Sequence, residues 1–213
     1  EEYASYNNRI LENLLDKNVN YTFVQDFDNV FYRTKYLNKM ARQVTTKYIS
    51  VWDADVVFPK NQVIDAMNQL KTDKLDFVYP YDREFYDTTN ILRDAYLQNK
   101  TIQLLEDNIG KMKPMYLPNP IGGAFIAKLE CYLKVGMENE NFYGWGMEDN
   151  ERYYRWRNFG FNVGFIKGPL FHLTHPRGIN SDFHNQDQFI NKNREYLKTL
   201  RLMDVEQYFD NFK

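Results

Sequence analysis

The sequence predicts an α/β protein with a largely parallel sheet covered by helices. Two observations carry that expectation. Short apolar runs that end in turn residues alternate with segments whose apolar residues recur at helical spacing. The chain also has 213 residues, 43 % of them hydrophobic, which is enough for one domain with a sizeable core.

Taken in order, Ile10, Leu11, Leu14 and Leu15 have the spacing of an amphipathic helix, and Tyr21 to Val24 form a short strand-like run. Arg33 to Val44 returns to helical spacing through Tyr36, Leu37, Met40 and Val44. Tyr48 to Trp52 is a strand of the buried type that stops at Asp53-Ala54-Asp55. Pro59 opens a helix through Val63, Ile64, Met67 and Leu70, and Leu75 to Tyr79 is strand again. The polar stretch from Asp87 to Lys113 is expected to be helical and to fold over one edge of the sheet. Ile121 to Ala127 reads as a strand interrupted at its start by Gly122 and Gly123. Glu148 to Asn158 reads as a helix, Asn162 to Ile166 as a strand, and Gln186 to Phe209 as broken helix. No repeat, low-complexity segment or linker interrupts residues 1–213, so a single domain is expected.

Composition excludes several function classes. Lys and Arg total 27 against 29 Asp and Glu, a net charge of −2, so no global field draws the chain onto nucleic acid. Mean hydropathy is −0.67. No apolar run reaches the roughly 18 residues of a transmembrane segment, and the N-terminus lacks the charged-then-apolar layout of a secretion signal. The one cysteine, Cys131, has no partner for a bridge, reads as a half-buried packing residue and fits a reducing compartment. A cytoplasmic protein is expected, with association at the inner face of the membrane left open. Aromatic residues make up 17 % of the chain. Most are expected in the core, while those among polar neighbours, such as Tyr79, Tyr81, Phe142, Tyr143 and Trp145, suit stacking on sugar or base.

Three groupings can carry chemistry. Asp53 and Asp55, two apart at a strand end, can present two carboxylates to one ligand, and their hard oxygens suit a divalent cation that neutralises a diphosphate. The competing reading is a solvated turn. His172 and His175 are two of the three histidines. Their spacing can bring two imidazoles to one cation, and imidazole beside carboxylate favours Mn2+ or another first-row metal over calcium. Pro169 and Pro176 confine that segment to a loop or single turn, and the competing reading is a hydrogen-bonded structural histidine. His184, among polar neighbours, reads as a surface residue. In Gly144-Trp145-Gly146-Met147-Glu148-Asp149, the glycines allow a hinged loop, Trp145 offers a stacking face, and Asp149 beside Glu148 can serve as general base. Acidic residues at a helix start are also expected from the helix dipole alone.

In this order, Phe31-Tyr32-Arg33-Thr34-Lys35-Tyr36-Leu37-Asn38, Asp53-Ala54-Asp55, Gly122-Gly123, Gly144-Trp145-Gly146-Met147-Glu148-Asp149 and His172-Leu173-Thr174-His175 resemble the β-1,4-galactosyltransferase group of nucleotide-sugar glycosyltransferases. Bacterial chondroitin-polymerase-type modules and polypeptide N-acetylgalactosaminyltransferases share parts of the pattern, which spans residues 31–176. The resemblance implies a GT-A fold, a Rossmann-like mixed sheet flanked by helices. It implies Mn2+ or another divalent cation held by Asp55, His172 and His175, and a UDP-sugar donor contacted by Asp53. By the same resemblance Phe31 and Arg33 lie beside the uridine, Arg83 near the donor, Gly122 and Gly123 against the sugar, and Trp145 near the diphosphate. Glu148 and Asp149 fall at the sugar and the acceptor, with Asp149 as the base. The retaining N-acetylgalactosaminyltransferases carry an amide where Asp149 stands, so inversion is expected.

The sequence departs from the group at two places. Met147 replaces a loop glycine. The group also opens with a strand carrying a Pro-aromatic-Arg uracil pocket that nothing before Asn8-Arg9 supplies, so a domain without its first strand is expected. The implied reaction moves galactose or N-acetylgalactosamine to a hydroxyl of a glycan or lipid-linked glycan, in a bacterial enzyme of surface-polysaccharide biosynthesis. A catalytically silent nucleotide- or sugar-binding module on the same fold is the alternative. A phosphohydrolase built on Asp53 and Asp55 is a lower one, since no phosphate-cradling glycine loop accompanies them.

Overall fold

The computed structural model describes residues 24, 26–28, 30–116, 118–177, 185–202 and 204–210. The chain divides into two compact units, Glu1–Phe31 and Tyr32–Lys213. The helix expected around Ile10 to Leu15, nearly all of the strand expected at Tyr21 to Val24, and His184 lie outside the described residues. In the first unit the Asp28 amide donates to Asp26 Oδ1 and the Val30 amide to Asp28 Oδ1, both at 3.0 Å, the local turn chemistry of aspartate.

In the second unit, helix α1 (Arg33–Ala41) is followed by β1 (Tyr48–Trp52), β2 (Val56–Val57), α2 (Lys60–Lys71), β3 (Phe77–Tyr79) and β4 (Glu84–Asp87). Then come α3 (Asn90–Asn99), α4 (Ile102–Glu106), a 3-10 turn (Ile109–Lys111), β5 (Lys113–Pro114), β6 (Ala124–Lys128) and α5 (Leu129–Lys134). The remainder is α6 (Glu148–Asn158), β7 (Val163–Phe165), β8 (Pro169–His172), α7 (Gln186–Leu200) and α8 (Val205–Asp210).

The main sheet has the order β1-β6-β3-β7. β6 is antiparallel to both β1 and β3, and β7 is parallel to β3. Strands β1, β3 and β7 therefore share one direction, but β6 is inserted against the grain between β1 and β3. This corrects the expectation of a largely parallel sheet to a mixed one. Every residue of β3 and β6 is buried, and a strand covered on both faces gives the same apolar run whichever way it points. Alternation along these strands splits the core. Val78 and Ile126 pack with Ala66 and Leu70 of α2, while Phe77 and Phe125 face Trp156 of α6 and Tyr132 of α5. Phe77 stacks on Trp156 with ring centroids 3.9 Å apart. The aromatic excess is mainly core: Tyr79, Tyr81 and Phe142 are all buried.

A second sheet, order β2-β8-β4-β5, was not expected as such. β8 runs antiparallel to β2 and parallel to β4. The His172 segment is therefore strand up to His172 rather than the loop or turn its flanking prolines suggest. Pro169 is the first residue of β8, a position where a missing amide is tolerated. The stretch from Asp87 to Lys113 is largely helical as expected, and its Leu92, Leu105 and Met112 cover Phe171 of this sheet. α3 is capped by Thr89, whose Oγ1 accepts the Leu92 amide. Among the described residues no helix is long and apolar enough to cross a membrane.

Candidate active site

Strand register builds a candidate metal corner. β2 pairs with β8 so that Val56 faces His172, and the Leu173 amide donates to the Asp55 carbonyl at 2.7 Å. Asp55 is thereby placed against the turn from His172 to His175. Asp55 Oδ2 lies 3.1 Å from His175 Nε2 and 3.5 Å from His172 Nε2, and one ligand atom from each of the three residues lies within 4.8 Å of the others. His172 is buried, Asp55 and His175 partly open to solvent. In the β4–β8 pairing Asp87 sits opposite His172, and its Oδ1 is 2.8 Å from Nδ1 of that ring. This bond fixes the imidazole so that Nε2 points at Asp55. Hydrogen bonding from His172 holds the Asp55 carboxyl below its usual range. Burial works against charging His172, but Asp55 and Asp87 outweigh it and raise its pKa.

The donor set fits a divalent first-row cation: one hard carboxylate and two neutral-capable imidazoles on one side, with solvent on the other for further ligands. Thr88 Oγ1 accepts the Thr174 amide at 3.0 Å, and Arg93 Nη1 donates to the Thr174 carbonyl at 2.7 Å. The turn carrying His175 is thus tied to β4 and α3.

A second, acidic corner lies at the other side of the same tripeptide. Arg33, at the start of α1, donates from Nη2 to Asp53 Oδ1 at 2.6 Å. Its Nη1 is 3.8 Å from Asp149 Oδ1 and 4.0 Å from Glu148 Oε1. Asp149 Oδ1 is also bonded by Arg152, one turn along α6, whose Nη1 is held by buried Glu138 Oε2 at 2.8 Å. Burial opposes the charge on Arg33, and Asp149 and Asp53 more than offset it. Glu148 is pushed up to about 7, by burial first and then by Asp149 beside it. Arg33 Nη1 and Glu148 Oε2 are both buried and have no hydrogen-bond partner among the described residues.

Gly122 runs between Asp53 and Asp149. A Cβ there would meet Asp149 Oδ2 at 2.6 Å, so only glycine lets that carboxylate lie over the backbone. Tyr81 Oη donates to the Gly122 carbonyl at 2.6 Å, and the Asp53 amide donates to the Gly123 carbonyl at 2.8 Å. Gly123 has φ +81° and packs on Leu170 and Val56. The next loop is left-handed at Gly144, Gly146 and Met147, with φ +65°, +95° and +75°. Met147 therefore stands where glycine is the unstrained residue. Lys192, buried on α7, donates from Nζ to the carbonyls of Trp145 at 2.5 Å and Gly146 at 3.1 Å, pinning that loop.

Arg83, at φ +59°, donates to Asn119 Oδ1 at 2.9 Å and lies over the Phe165 ring, contacts that serve the β3–β4 turn. Phe31 belongs to the first unit and is half exposed. Sequence reasoning missed Asp87, Arg152, Glu138 and Lys192. Arg152 and Glu138 look like surface charges in sequence, and only their burial marks them. Asp87 carried no signal until the second sheet set it opposite His172.

Comparison with solved structures bears on the fold. A point mutant of Drosophila β1,4-galactosyltransferase 7, solved with manganese, UDP-Gal and xylobiose, superposes with a TM-score of 0.50 at 14 % identity. It covers 96 % of this chain and 76 % of its own. The fold is GT-A.

The family described as the N-terminal domain of galactosyltransferase matches residues 109–177, the segment of the GT-A domain that holds Gly122, Asp149 and both histidines. The catalytic domain of the same Drosophila enzyme with xylobiose has a TM-score of 0.49 at 14 % identity, over 85 % of this chain and 66 % of that one. Glucosyl-3-phosphoglycerate synthase from Mycobacterium tuberculosis, with Mn2+, UDP and phosphoglyceric acid, has 0.40 at 12 % identity, over 79 % and 52 %. No curated protein sequence matches the chain significantly. The chain thus has the GT-A fold, and part of it is similar to the galactosyltransferase family.

Proposed function

We propose that the protein is a metal-dependent inverting glycosyltransferase that moves galactose or N-acetylgalactosamine from a UDP-sugar to a hydroxyl of a glycan or lipid-linked glycan. The observation that carries this reading is the convergence of Asp55, His172 and His175 within 4.8 Å at a strand end of a GT-A domain. Asp53-Ala54-Asp55 is then the DXD motif of such an enzyme. Residues 1–213 are read as one glycosyltransferase domain, bacterial, acting on surface polysaccharide from the cytoplasmic side, with peripheral contact to the inner membrane face.

Asp55, His172 and His175 would hold Mn2+ or another divalent cation, which supplies charge neutralisation for a departing diphosphate. Transfer is a single displacement. The acceptor oxygen forms a bond to the anomeric carbon, the bond from that carbon to the diphosphate oxygen breaks with its electron pair on the diphosphate, and the acceptor's proton passes to a base. Asp149 is assigned that base. Arg152 and Arg33 orient one oxygen, Oδ1, while Oδ2 lies over Gly122. The unpartnered Arg33 Nη1 and Glu148 Oε2 ask for the hydroxyls of a sugar, because buried polar groups are rarely left unpaired. Phe31, Arg33 and Arg83 are assigned to the donor side, and Trp145 to the sugar and diphosphate.

A screen of UDP-sugars for UDP release in the presence of Mn2+ tests the reading. Release from UDP-galactose or UDP-N-acetylgalactosamine, stopped by chelation and by Asp55→Asn, is the expected result. Tight UDP binding without release or transfer would favour the catalytically silent module. Neither binding nor release would overturn the assignment.

A further inference from the structure

Glu138, in the loop between α5 and α6, is a buried carboxylate that the transfer chemistry does not call on directly. Its Oε2 accepts from Arg152 Nη1 and its Oε1 from the Tyr132 hydroxyl, each at 2.8 Å. Its backbone is held as firmly. Asn38 of α1 accepts the Glu138 amide on Oδ1 at 2.8 Å and donates from Nδ2 to the Glu138 carbonyl at 2.9 Å. The same helix carries Arg33 at its start, so the two guanidiniums that approach Asp149 Oδ1, Arg33 and Arg152, are both tied to one buried residue.

Arg152 lies between two carboxylates, Glu138 in the interior and Asp149 at the cleft. Burial opposes its charge, and Glu138 first, then Asp149, outweigh burial. A guanidinium bound to a general base alone would make that base a poor proton acceptor, because an opposite charge favours the ionised carboxylate. A second carboxylate on the far side takes up part of that charge. It also fixes the plane of the guanidinium, and with it the oxygen of Asp149 that Arg152 meets. Nη2 goes to Oδ1, and Oδ2 is left over Gly122. We propose that Glu138 is a positioning residue for the base: through Arg152 it orients Asp149 and sets how much positive charge the base feels. The inference rests on the assignment of Asp149 as base, while the relay of charge from Glu138 through Arg152 to Asp149 is measurable without it. Asp149 is also faced by Arg33 of α1, Asp53 after β1, Glu148 of α6, and Tyr79 and Tyr81 at the end of β3. Glu138 is also faced by Tyr132, Glu151, Arg155 and Tyr208.

Two variants pull the relay in opposite directions and leave all of these groups but Tyr132 unchanged. Glu138→Gln keeps the size and loses the charge, so the whole of the Arg152 charge falls on Asp149. Tyr132→Phe keeps the ring and removes the donor to Glu138 Oε1, so the Glu138 carboxylate draws Arg152 inward. Titration of the Asp149 carboxyl by NMR, with Asp149→Asn giving the assignment, reads the charge with no donor sugar present. The midpoint should move down by about 0.5 to 1 pH unit in Glu138→Gln and up by about 0.2 to 0.5 unit in Tyr132→Phe. The acid limb of kcat/KM for UDP release from UDP-galactose with Mn2+ should follow in the same two directions, with kcat down by about threefold or more in Glu138→Gln. Damage to packing alone would lower stability in both variants without opposed shifts. Equal midpoints in all three proteins, or shifts of one sign, overturn the proposal, and if Glu138→Gln does not fold, the Tyr132→Phe shift decides alone. Opposed NMR shifts that the pH profile of an active enzyme does not follow overturn the role at the base. Opposed shifts in a protein that releases UDP from no UDP-sugar keep the relay and overturn the transferase reading alone.

Discussion

Asp53 and Asp55 are two residues apart, yet they meet opposite chemistry. Asp55 faces imidazoles across a strand pair, partly open to solvent, in a cluster whose negative charge is left for an outside cation to answer. Asp53 faces Arg33, and beyond it Glu148, Asp149, Arg152 and Glu138 form a network whose positive charges are built in. One corner is incomplete without a ligand. The other sets its carboxylates against guanidinium groups of its own and doubles as part of the core. The difference teaches how one short turn can present one carboxylate to solvent and the other to fixed guanidinium groups; on the proposed function, these are the leaving-group and base sides of the reaction. Exchangeable charge is kept where solvent can deliver it, and fixed charge where orientation matters more than access.

The largest expected effect breaks the buried corner. Glu138→Ala leaves the Arg152 guanidinium buried without its inner partner, and stability should fall by about 3 to 5 kcal/mol. Denaturant unfolding measures it, and a loss below about 1 kcal/mol would mean the network is not a structural unit. Next, Asp149→Asn should lower transfer by about 100-fold or more with donor KM little changed, the pattern of an interaction made in the transition state. Near-normal turnover would return the acidic pair to a helix-dipole role.

At the proposed metal corner, Asp87→Asn keeps the shape but weakens the bond that orients His172, and Mn2+ affinity should drop about 10- to 100-fold. Titration of the metal followed by calorimetry reads this directly, and unchanged affinity would detach Asp87 from the site.

A pH effect separates the corners further. Glu148, facing Asp149, Arg33 and Lys192, is pushed up to about 7 in the folded protein from an ordinary 4.5. Between those values the folded chain holds a proton that the unfolded chain releases, so this group's contribution to stability falls as pH rises through that window. Glu148→Gln should flatten the slope in unfolding experiments across it, and an unaltered slope would assign the dependence elsewhere. The smallest effect is at Met147. Glycine there removes the left-handed strain of about 1 to 2 kcal/mol but adds unfolded-state entropy of about 0.5 to 1 kcal/mol, so Met147→Gly should change stability by less than about 1 kcal/mol, toward gain. A clear loss would show that the Met147 side chain contributes packing the backbone cost conceals.

Much of the fold was legible in the residues. Tyr48 to Trp52 and Glu148 to Asn158 are read with the same limits from apolar runs and helical spacing as the structure assigns, because those signals are local. So is the chemistry on offer: carboxylates at a strand end, paired histidines, glycines before an acidic helix. What the chain could not display by itself is who stands beside whom. The direction of β6 depends on which strands accept it, since burial on both faces erases the alternation that would betray orientation. Asp87 gains a role only because β4 and β8 pair in one register, and Arg152 and Glu138 only because α6 brings Arg152 to Glu138 in the loop that follows α5. Composition and periodicity determined the elements and their chemical endowment. Tertiary pairing, which joins residues some 85 to 120 positions apart, decided which of those groups share a site, because hydrogen-bond register and burial are properties of two segments at once and of neither alone.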